Sequence, residues 1–190
     1  MARDVAVLGA GTMGNGIAHV FAQAGWRVQL IDVSSSAREA ALETIRRNME
    51  RQVKKGALTA ADRDAALARI TTGAALDGAG DIGLAVEAVT ENPAAKFAVF
   101  AELDRRLPPS AILATNTSSI SITEIAAQTR RPERVVGMHF MNPVPVMPLV
   151  EVVRGLQTAD ETVRVVVETA KELGKTPVEV RDFPGFVSNR

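Results

Sequence analysis

His139 and Glu151 are the residues whose types and spacing most directly suggest proton transfer. His139 ends the apolar run Val135–His139, and Glu151 follows 12 residues later inside the apolar run Leu149–Val153. An acid between aliphatic residues is costly to bury unless it is paired. A histidine partner would pair it, and the carboxylate would fix the imidazole tautomer and stabilise the imidazolium, so the two would form a general base. In the alternative interpretation, Glu151 is a surface residue of an edge strand and His139 simply ends a strand.

A glycine-rich turn near the N-terminus has a form that binds dinucleotides. The residues Gly9, Ala10, Gly11, Thr12, Met13 and Gly14 make a G-x-G-x-x-G after the first apolar run. The first glycine allows a tight turn, the second leaves room for a pyrophosphate, and the third allows close packing of helix on strand. The helix N-terminus then offers N–H groups to the phosphates.

Asp32 indicates which dinucleotide is bound. It ends the second apolar run, 18 residues after Gly14. A carboxylate at this point accepts the hydroxyl hydrogens of the adenosine ribose and repels a 2′-phosphate. The sequence therefore predicts NAD rather than NADP, and Arg38 weakens this preference only slightly. The alternative is a tight turn with an incidental aspartate.

The hydroxyl-rich stretch 115–119 and the second histidine are further candidates. The stretch either caps the following helix or presents Asn116 and Ser118 to a cofactor or substrate. No G-x-S-x-G surrounds it, so a serine nucleophile is not expected. His19 lies among apolar residues of a helical pattern and is expected to serve packing. With two histidines and no cysteine, we expect no metal site.

Composition narrows the class of protein. The 22 basic and 22 acidic side chains cancel, so we expect no binding to nucleic acid or to an anionic membrane. Hydrophobic residues make up 46% of the 190 residues, enough for the core of one domain. Neither a transmembrane run nor a secretory or transit pattern is recognisable, which favours the cytoplasm.

Apolar runs and helical patterns alternate along the chain. The expected strands are Asp4–Leu8, Val28–Asp32, Ile70–Ala75, Leu84–Val89, Ala111–Thr115, Val135–His139, Leu149–Val153 and Pro177–Arg181. The expected helices are Met13–Ala24, Ser36–Lys55, Ala60–Ala68, Ala94–Arg106, Ile122–Gln128 and Glu161–Leu173. The alternation predicts an α/β fold with a doubly wound, mostly parallel sheet of the Rossmann type. Residues 34–69 should form a helical-hairpin excursion from it, and the proline-containing stretch 142–148 should be irregular.

Five sequence motifs occur in the order found in one enzyme family. They are GAGTMG at Gly9–Gly14, VEAVTEN at Val86–Asn92, ATNTSS at Ala114–Ser119, GMHFMNPVPVMPLVEVV at Gly137–Val153 and DFPGFVSNR at Asp182–Arg190. Through them, essentially the whole chain resembles the NAD-binding domain of the L-3-hydroxyacyl-CoA dehydrogenases, which include the 3-hydroxybutyryl-CoA dehydrogenases. The resemblance implies NAD-dependent oxidation of an (S)-3-hydroxyacyl-CoA to the 3-ketoacyl-CoA, a reaction of fatty acid metabolism.

The resemblance also implies roles for individual residues. His139 would be the catalytic base and Glu151 its orienting partner, while Ser118 would hydrogen-bond the substrate oxygen and Asn189 would complete that polar pocket. Besides the glycine turn and Asp32, the residues implied in cofactor binding are Glu91, Lys96, Asn116 and Asn142. Lys55 would meet the phosphates of coenzyme A, and Asn48 stands where many relatives carry a serine that contacts it. Without the resemblance, Lys96 would pass for a helix surface charge and Lys55 for part of a solvated turn.

The resemblance further predicts the domain organisation. Residues 1–183 should form the NAD-binding domain, and residues 184–190 should begin a linker to a helical dimerisation domain that the chain lacks. The full-length form would then be a homodimer, and the isolated chain would bind NADH but turn over poorly. Two other functions stay open: a non-catalytic dinucleotide-binding module and a sugar-acid dehydrogenase of the same fold.

Overall fold

A computed structural model describes residues 3–76, 78, 82–183 and 186. The strands are β1 (Asp4–Leu8), β2 (Arg27–Ile31), β3 (Ile70–Gly73), β4 (Leu84–Glu87), β5 (Ile112–Thr115), β6 (Val135–Phe140), β7 (Leu149–Arg154) and β8 (Thr176–Arg181). The helices are α1 (Thr12–Gln23), α2 (Ser35–Lys54), α3 (Ala60–Ala68), α4 (Pro93–Arg106), α5 (Ile122–Ala126) and α6 (Asp160–Glu172). Each expected strand and helix is present, although β3, β4 and α5 end about two residues earlier than expected.

All eight strands form one sheet in the order β3-β2-β1-β4-β5-β6-β7-β8. Neighbouring strands are parallel except for β6 and β7, which are antiparallel. A parallel pair needs a crossover of a dozen or more residues, whereas the short segment 141–148 can only return the chain alongside β6. The predicted doubly wound, mostly parallel sheet is confirmed.

Helices cover both faces of the sheet, and each face has its own core. On one face, Phe21 of α1 and Ile45 of α2 are buried against Leu30 of β2. On the other face, Phe100 of α4 and Ile125 of α5 are buried in a second cluster. Strands that are buried on both sides are apolar throughout, which explains the continuous apolar runs of the sequence.

The excursion after β2 is a helical hairpin. Helix α2 buries Ala41, Ile45 and Met49, which recur every four residues and so form one apolar stripe. The chain turns at Gly56, whose φ of +70° favours glycine, and Thr59 then caps α3 by accepting a hydrogen bond from the Asp62 N–H.

Within the described ranges, none of the helices combines the length and the apolar character that crossing a lipid bilayer requires.

Candidate functional site

The chemistry-bearing residues gather at the carboxyl edge of the sheet. Strand β1 has β2 on one side and β4 on the other, so the chain order reverses around it. Ligands of doubly wound sheets bind in the crevice that this reversal opens beyond the strand ends. The glycine turn follows β1, Asp32 follows β2, and Glu91 lies in the loop after β4. These residues therefore border one crevice.

The glycine turn fits a dinucleotide on structural grounds. A Cβ on Gly14 would lie 1.7 Å from the carbonyl oxygen of Gly9, and a Cβ on Gly9 would lie 2.5 Å from that of Ala88. These two glycines are thus required by the packing of the turn itself. A Cβ on Gly11 would meet no atom within 4 Å, so the protein alone does not require glycine there. Gly11 is also the N-cap of α1 and provides no side-chain cap, so the positive end of the helix faces the crevice.

Asp32 is held by the turn that it faces. Its Oδ2 accepts the N–H of Ala10 at 2.8 Å, and its Oδ1 accepts the N–H of Ser34 at 2.9 Å. A carboxylate can accept about four hydrogen bonds, so it retains acceptor capacity for ribose hydroxyls. Arg38 donates to the backbone carbonyl of Asp32 rather than to the carboxylate. The negative charge that would oppose a 2′-phosphate is therefore not paired with Arg38.

A cleft of about 850 Å³ lies between the glycine turn, the ends of β2 and β3, and helix α4. Its lining includes Gly11, Met13, Asp32, Leu76 and Val99. The volume is within the range of small-molecule and cofactor sites, and its mostly apolar lining with a few polar groups is typical of them. The cleft can accept the nucleotide part of a dinucleotide.

His139 and Glu151 form a buried pair. His139 Nδ1 lies 2.8 Å from Glu151 Oε2, and the two residues are 7% and 2% exposed. With Glu151 ionised, Nδ1 carries the hydrogen and donates a hydrogen bond to the carboxylate, so Nε2 is the basic nitrogen. Strand β7 lies between β6 and β8, so the interpretation of Glu151 as an edge-strand surface residue is wrong.

Phe186 packs against this pair and was not identified from the sequence. Its ring centroid lies 5.8 Å from that of His139 in an edge-on arrangement, and the residue is 1% exposed. It comes from the segment that the sequence assigns to a linker, so no periodicity pointed to its burial. Asn189, predicted to complete the polar pocket around His139, lies outside the described residues.

The hydroxyl-rich stretch is bound to Glu91. The N–H groups of Ser118 and Ser119 donate to Glu91 Oε1 at 2.9 and 3.2 Å, and the Thr117 hydroxyl donates to the same oxygen. Burial opposes ionisation of this carboxyl, but the hydrogen bonds from Thr117 and Ser118 and the charge of Lys96 outweigh it, so the pKa of Glu91 is lowered. Glu91 is therefore an anion that organises the loop.

Helix α5 has caps of its own. Ser121 is its N-cap, accepting the N–H of Glu124, and the Asp182 carboxylate accepts the N–H groups of Ile122 and Thr123 at 3.0 and 2.8 Å. The interpretation of residues 115–119 as a mere helix cap is therefore wrong. The stretch instead binds Glu91, through the N–H groups and the hydroxyls of Ser118 and Ser119.

Lys96 is not a surface charge. It is 1% exposed, and its Nζ lies 2.6 Å from Glu87 Oε1 and 3.3 Å from Glu91 Oε2. Glu87, which is fully buried at the end of β4, was not identified from the sequence. The available signal was an acid inside a strand that is otherwise apolar, the same signal that pointed to Glu151.

Asn116 joins the ends of β5 and β6. Its Oδ1 accepts the N–H of Phe140 at 2.9 Å, directly after His139. Asn142 follows two residues later and is exposed. The two asparagines and His139 thus lie at adjoining strand ends.

Of the two residues expected to contact coenzyme A, Asn48 lies on α2 and Lys55 directly follows the helix, seven positions further along and so on the same side. Asn48 accepts a hydrogen bond from Arg51 at 3.4 Å, and Lys55 is the exposed C-cap of the helix. The hydrogen bonds that Asn48 and Lys55 make in the described part of the chain lie within α2 and its C-cap, so they do not connect these residues to His139.

His19 is buried, as expected for a packing residue. Its Nε2 lies 3.0 Å from Gln23 Oε1 and 3.3 Å from Gln52 Oε1, and Nδ1 has no hydrogen-bond partner in the described part of the chain. Burial lowers the pKa of His19 below its ordinary 6.5, because it outweighs the hydrogen bonds with Gln23 and Gln52, which raise the pKa. The residue is therefore neutral and lies apart from the His139 pair.

Comparison with known proteins gives a consistent family of relatives. A family model described as "3-hydroxyacyl-CoA dehydrogenase, NAD binding domain" matches residues 4–183. A probable 3-hydroxybutyryl-CoA dehydrogenase from Bacillus subtilis is 51% identical over 188 residues, which are 99% of this chain and 66% of the relative. The alpha subunit of a fatty acid oxidation complex from Acinetobacter baylyi is 44% identical over 98% of this chain and 26% of its own length.

The chain is also similar to a solved structure. The (S)-3-hydroxybutyryl-CoA dehydrogenase from Ralstonia eutropha superimposes with a TM-score of 0.97 and 46% identity, over 100% of this chain and 67% of that protein. The chain thus spans about two thirds or less of the length of these relatives.

Proposed function

The chain belongs to the 3-hydroxyacyl-CoA dehydrogenase family as its NAD-binding domain, and we propose that it carries the cofactor site and the general base for oxidising (S)-3-hydroxyacyl-CoA to 3-ketoacyl-CoA. The observation that carries the proposal is the buried pair of His139 and Glu151, 2.8 Å apart at the carboxyl edge of the sheet. The oxidation needs an acceptor for the hydroxyl proton, and this pair can be that acceptor.

The pair would move the proton in one step with the oxidation. His139 Nε2 takes the proton from the 3-hydroxyl as the carbon–oxygen double bond forms at C3. Bound NAD supplies the acceptor for the hydride that leaves C3. The Glu151 carboxylate stabilises the resulting imidazolium through Nδ1. In the reverse direction the imidazolium returns the proton to the ketone oxygen.

The cofactor would lie on the glycine turn. We propose that the phosphates bind the first turn of α1 beside Gly11, that the adenosine ribose binds Asp32, and that the nucleotide occupies the cleft beside α4. Space above Gly11, the free acceptor capacity of Asp32 and the cleft volume support this placement. Glu91, Lys96, Asn116 and Asn142 are proposed to border the nicotinamide end.

The substrate assignments rest on placement in the fold. Ser118 lies in the loop that Glu91 organises, at the same sheet edge as His139, which supports a bond to the substrate oxygen. Lys55 and Asn48 would contact coenzyme A from α2, and Asn189 would complete the polar pocket.

Domain organisation, assembly and location belong to the same proposal. Residues 1–183 would be the NAD-binding domain and residues 184–190 the start of a linker, which the family match over residues 4–183 supports. The complete protein would be a homodimer through a helical domain, and it would act in the cytoplasm. Sedimentation of a complete form and fractionation of cells that produce it would test these two points.

Titration with reduced cofactors tests the cofactor assignment. Purified chain is titrated with NADH and with NADPH, and nucleotide fluorescence is followed with and without acetoacetyl-CoA. We expect saturable NADH binding, much weaker NADPH binding and a further change on adding the ester. A folded chain that binds neither nucleotide would overturn the proposal. Acetoacetate as a control separates a CoA-dependent enzyme from a dehydrogenase of sugar acids.

A further inference from the structure

A closed ring of hydrogen bonds joins the loops after β4 and β5. On one side, Lys96 bridges Glu87 and Glu91 at 2.6 and 3.3 Å. On the other side, the Thr115 hydroxyl donates to Glu87 Oε2 at 2.7 Å and accepts the N–H of Thr117 at 3.1 Å. The Thr117 hydroxyl closes the ring by donating to Glu91. Four members of the ring are buried, and only Glu91 is exposed, at 39% of its side chain.

Ser118 depends on the exposed member of this ring. Its backbone N–H and that of Ser119 donate to Glu91 Oε1. The other oxygen of Glu91 faces Lys96. The position of Glu91 between Lys96 and the serine N–H groups therefore determines where the backbone of Ser118 lies.

Glu87 competes with Glu91 for the ammonium group of Lys96. A buried ammonium requires ionic or hydrogen-bonding partners, because leaving it unpaired is costly. Within the described residues, the two carboxylates within ion-pair distance of Lys96 are Glu87 and Glu91. If Glu87 were neutral, Glu91 would be the one charged carboxylate among these two, and the Lys96 ammonium would attract it more strongly. The Glu91 carboxylate would then be drawn inward, away from the N–H groups of Ser118 and Ser119.

We propose that Glu87 is a positioning residue: by binding Lys96 from the buried side, it keeps Glu91 on the N–H groups of Ser118 and Ser119. Glu87 acts through these neighbours and touches neither substrate nor cofactor. The effect on catalysis rests on the proposed function, whereas the effect on the loop does not.

Amide hydrogen exchange of the Glu87→Gln variant tests the effect on the loop. We expect the Ser118 and Ser119 amides to exchange at least tenfold faster, with the β1 amides unchanged. Glu124→Gln, which removes an exposed acid on nearby α5, is the matched control and should leave all these rates unchanged. The double variant Glu87→Gln/Lys96→Met removes the ammonium that draws Glu91 inward, so exchange at Ser118 should return toward its original rate. Faster exchange at Ser118 and Ser119 that the double variant does not reverse would overturn the proposal.

Reduction of acetoacetyl-CoA by NADH tests the effect on catalysis. We expect kcat of Glu87→Gln to fall about tenfold while the Kd for NADH stays within threefold. Faster exchange at Ser118 with an unchanged kcat would overturn the catalytic part. If the unchanged chain neither binds NADH nor reduces the ester, the proposed function fails, and the exchange rates still decide the role of Glu87.

Thr115→Val covers the case in which Glu87→Gln does not fold. Valine keeps the β-branched shape but removes the hydroxyl that links Glu87 to Thr117. Because Glu87 then loses the hydroxyl that holds its carboxylate opposite Lys96, we expect exchange at Ser118 and Ser119 to rise severalfold. Unchanged exchange in this folded variant would overturn the proposal.

Discussion

His139 and Glu151 are direct partners across the antiparallel strands β6 and β7, and this register places the imidazole Nδ1 2.8 Å from the carboxylate. The reversal of the chain between β6 and β7 therefore brings these two side chains together. Both side chains are buried, so the carboxylate has low access to water and holds the imidazole in one tautomer.

Replacing His139 by Gln should remove the base and leave the cofactor site intact. A general base contributes about 10²–10⁴ in rate, so the single-turnover rate of ester reduction should fall by a factor in this range. The Kd for NADH should stay within about threefold, because the glycine turn lies on other strands. Stopped-flow absorbance and fluorescence titration measure the two quantities. An unchanged rate would contradict the assignment of His139 as the base, whereas NADH binding without any reduction of the ester by the unsubstituted chain would favour a non-catalytic dinucleotide-binding module.

The glycines of the turn should separate into two classes. Gly11→Ala should keep the thermal unfolding midpoint within a few degrees, since its Cβ meets no protein atom and its φ of −70° suits alanine. The variant should nevertheless bind NADH at least tenfold more weakly, because the methyl group occupies the place proposed for the pyrophosphate.

Gly14→Ala is the matched contrast. Its Cβ would lie 1.7 Å from a backbone oxygen, so the turn must shift, and overpacking of this kind costs about 1–3 kcal/mol or more. Urea unfolding of both variants measures the difference. Equal loss of stability in Gly11→Ala and Gly14→Ala would contradict the assignment of the space above Gly11 to a ligand.

His19 should make stability sensitive to mild acid. Burial lowers its folded-state pKa below 6.5, so the unfolded chain binds more protons as pH falls through 6.5 and stability is lost. His19→Gln carries no titrating group and should remove this loss. We expect the urea midpoints of the two proteins to be close at pH 8, and the variant to be the more stable at pH 5. A difference between the two urea midpoints that is the same at pH 8 and at pH 5 would contradict the prediction.

Lys55 should affect the ester and not the cofactor. Lys55→Ala should raise the KM for acetoacetyl-CoA severalfold, since one cation near the coenzyme phosphates is lost. Lys54→Ala is the control: Lys54 is equally exposed but points about 100° away around the same helix. Steady-state kinetics with each variant measures KM. The same change in both variants would indicate a general effect of charge rather than a contact.

The elements of this fold could be predicted from the sequence because both faces of the sheet are covered. Strands such as β5 and β6 are therefore apolar nearly throughout, and helices separate most of the strands. The pairing of His139 with Glu151 was also predictable, since an acid within an apolar run needs a partner.

Other parts of the site could not be read from the sequence. Glu87 carries the same signal as Glu151, but its partners lie 9 and 28 residues away on different elements, so no spacing identifies them. The burial of Lys96 follows from that ring and not from the pattern of α4. Phe186 reaches His139 from beyond the last strand, where no periodicity applies.

Single-turnover conversion of acetoacetyl-CoA tests whether the chain uses His139 as the general base of an NAD-dependent oxidation. The chain, in excess over the ester, is mixed with NADH, and the product is quantified and its configuration at C3 determined. We expect (S)-3-hydroxybutyryl-CoA, formed slowly by the chain alone and at least a hundredfold more slowly by His139→Gln. Saturable NADH binding without any product over many hours, or a product whose formation does not depend on His139, would contradict it.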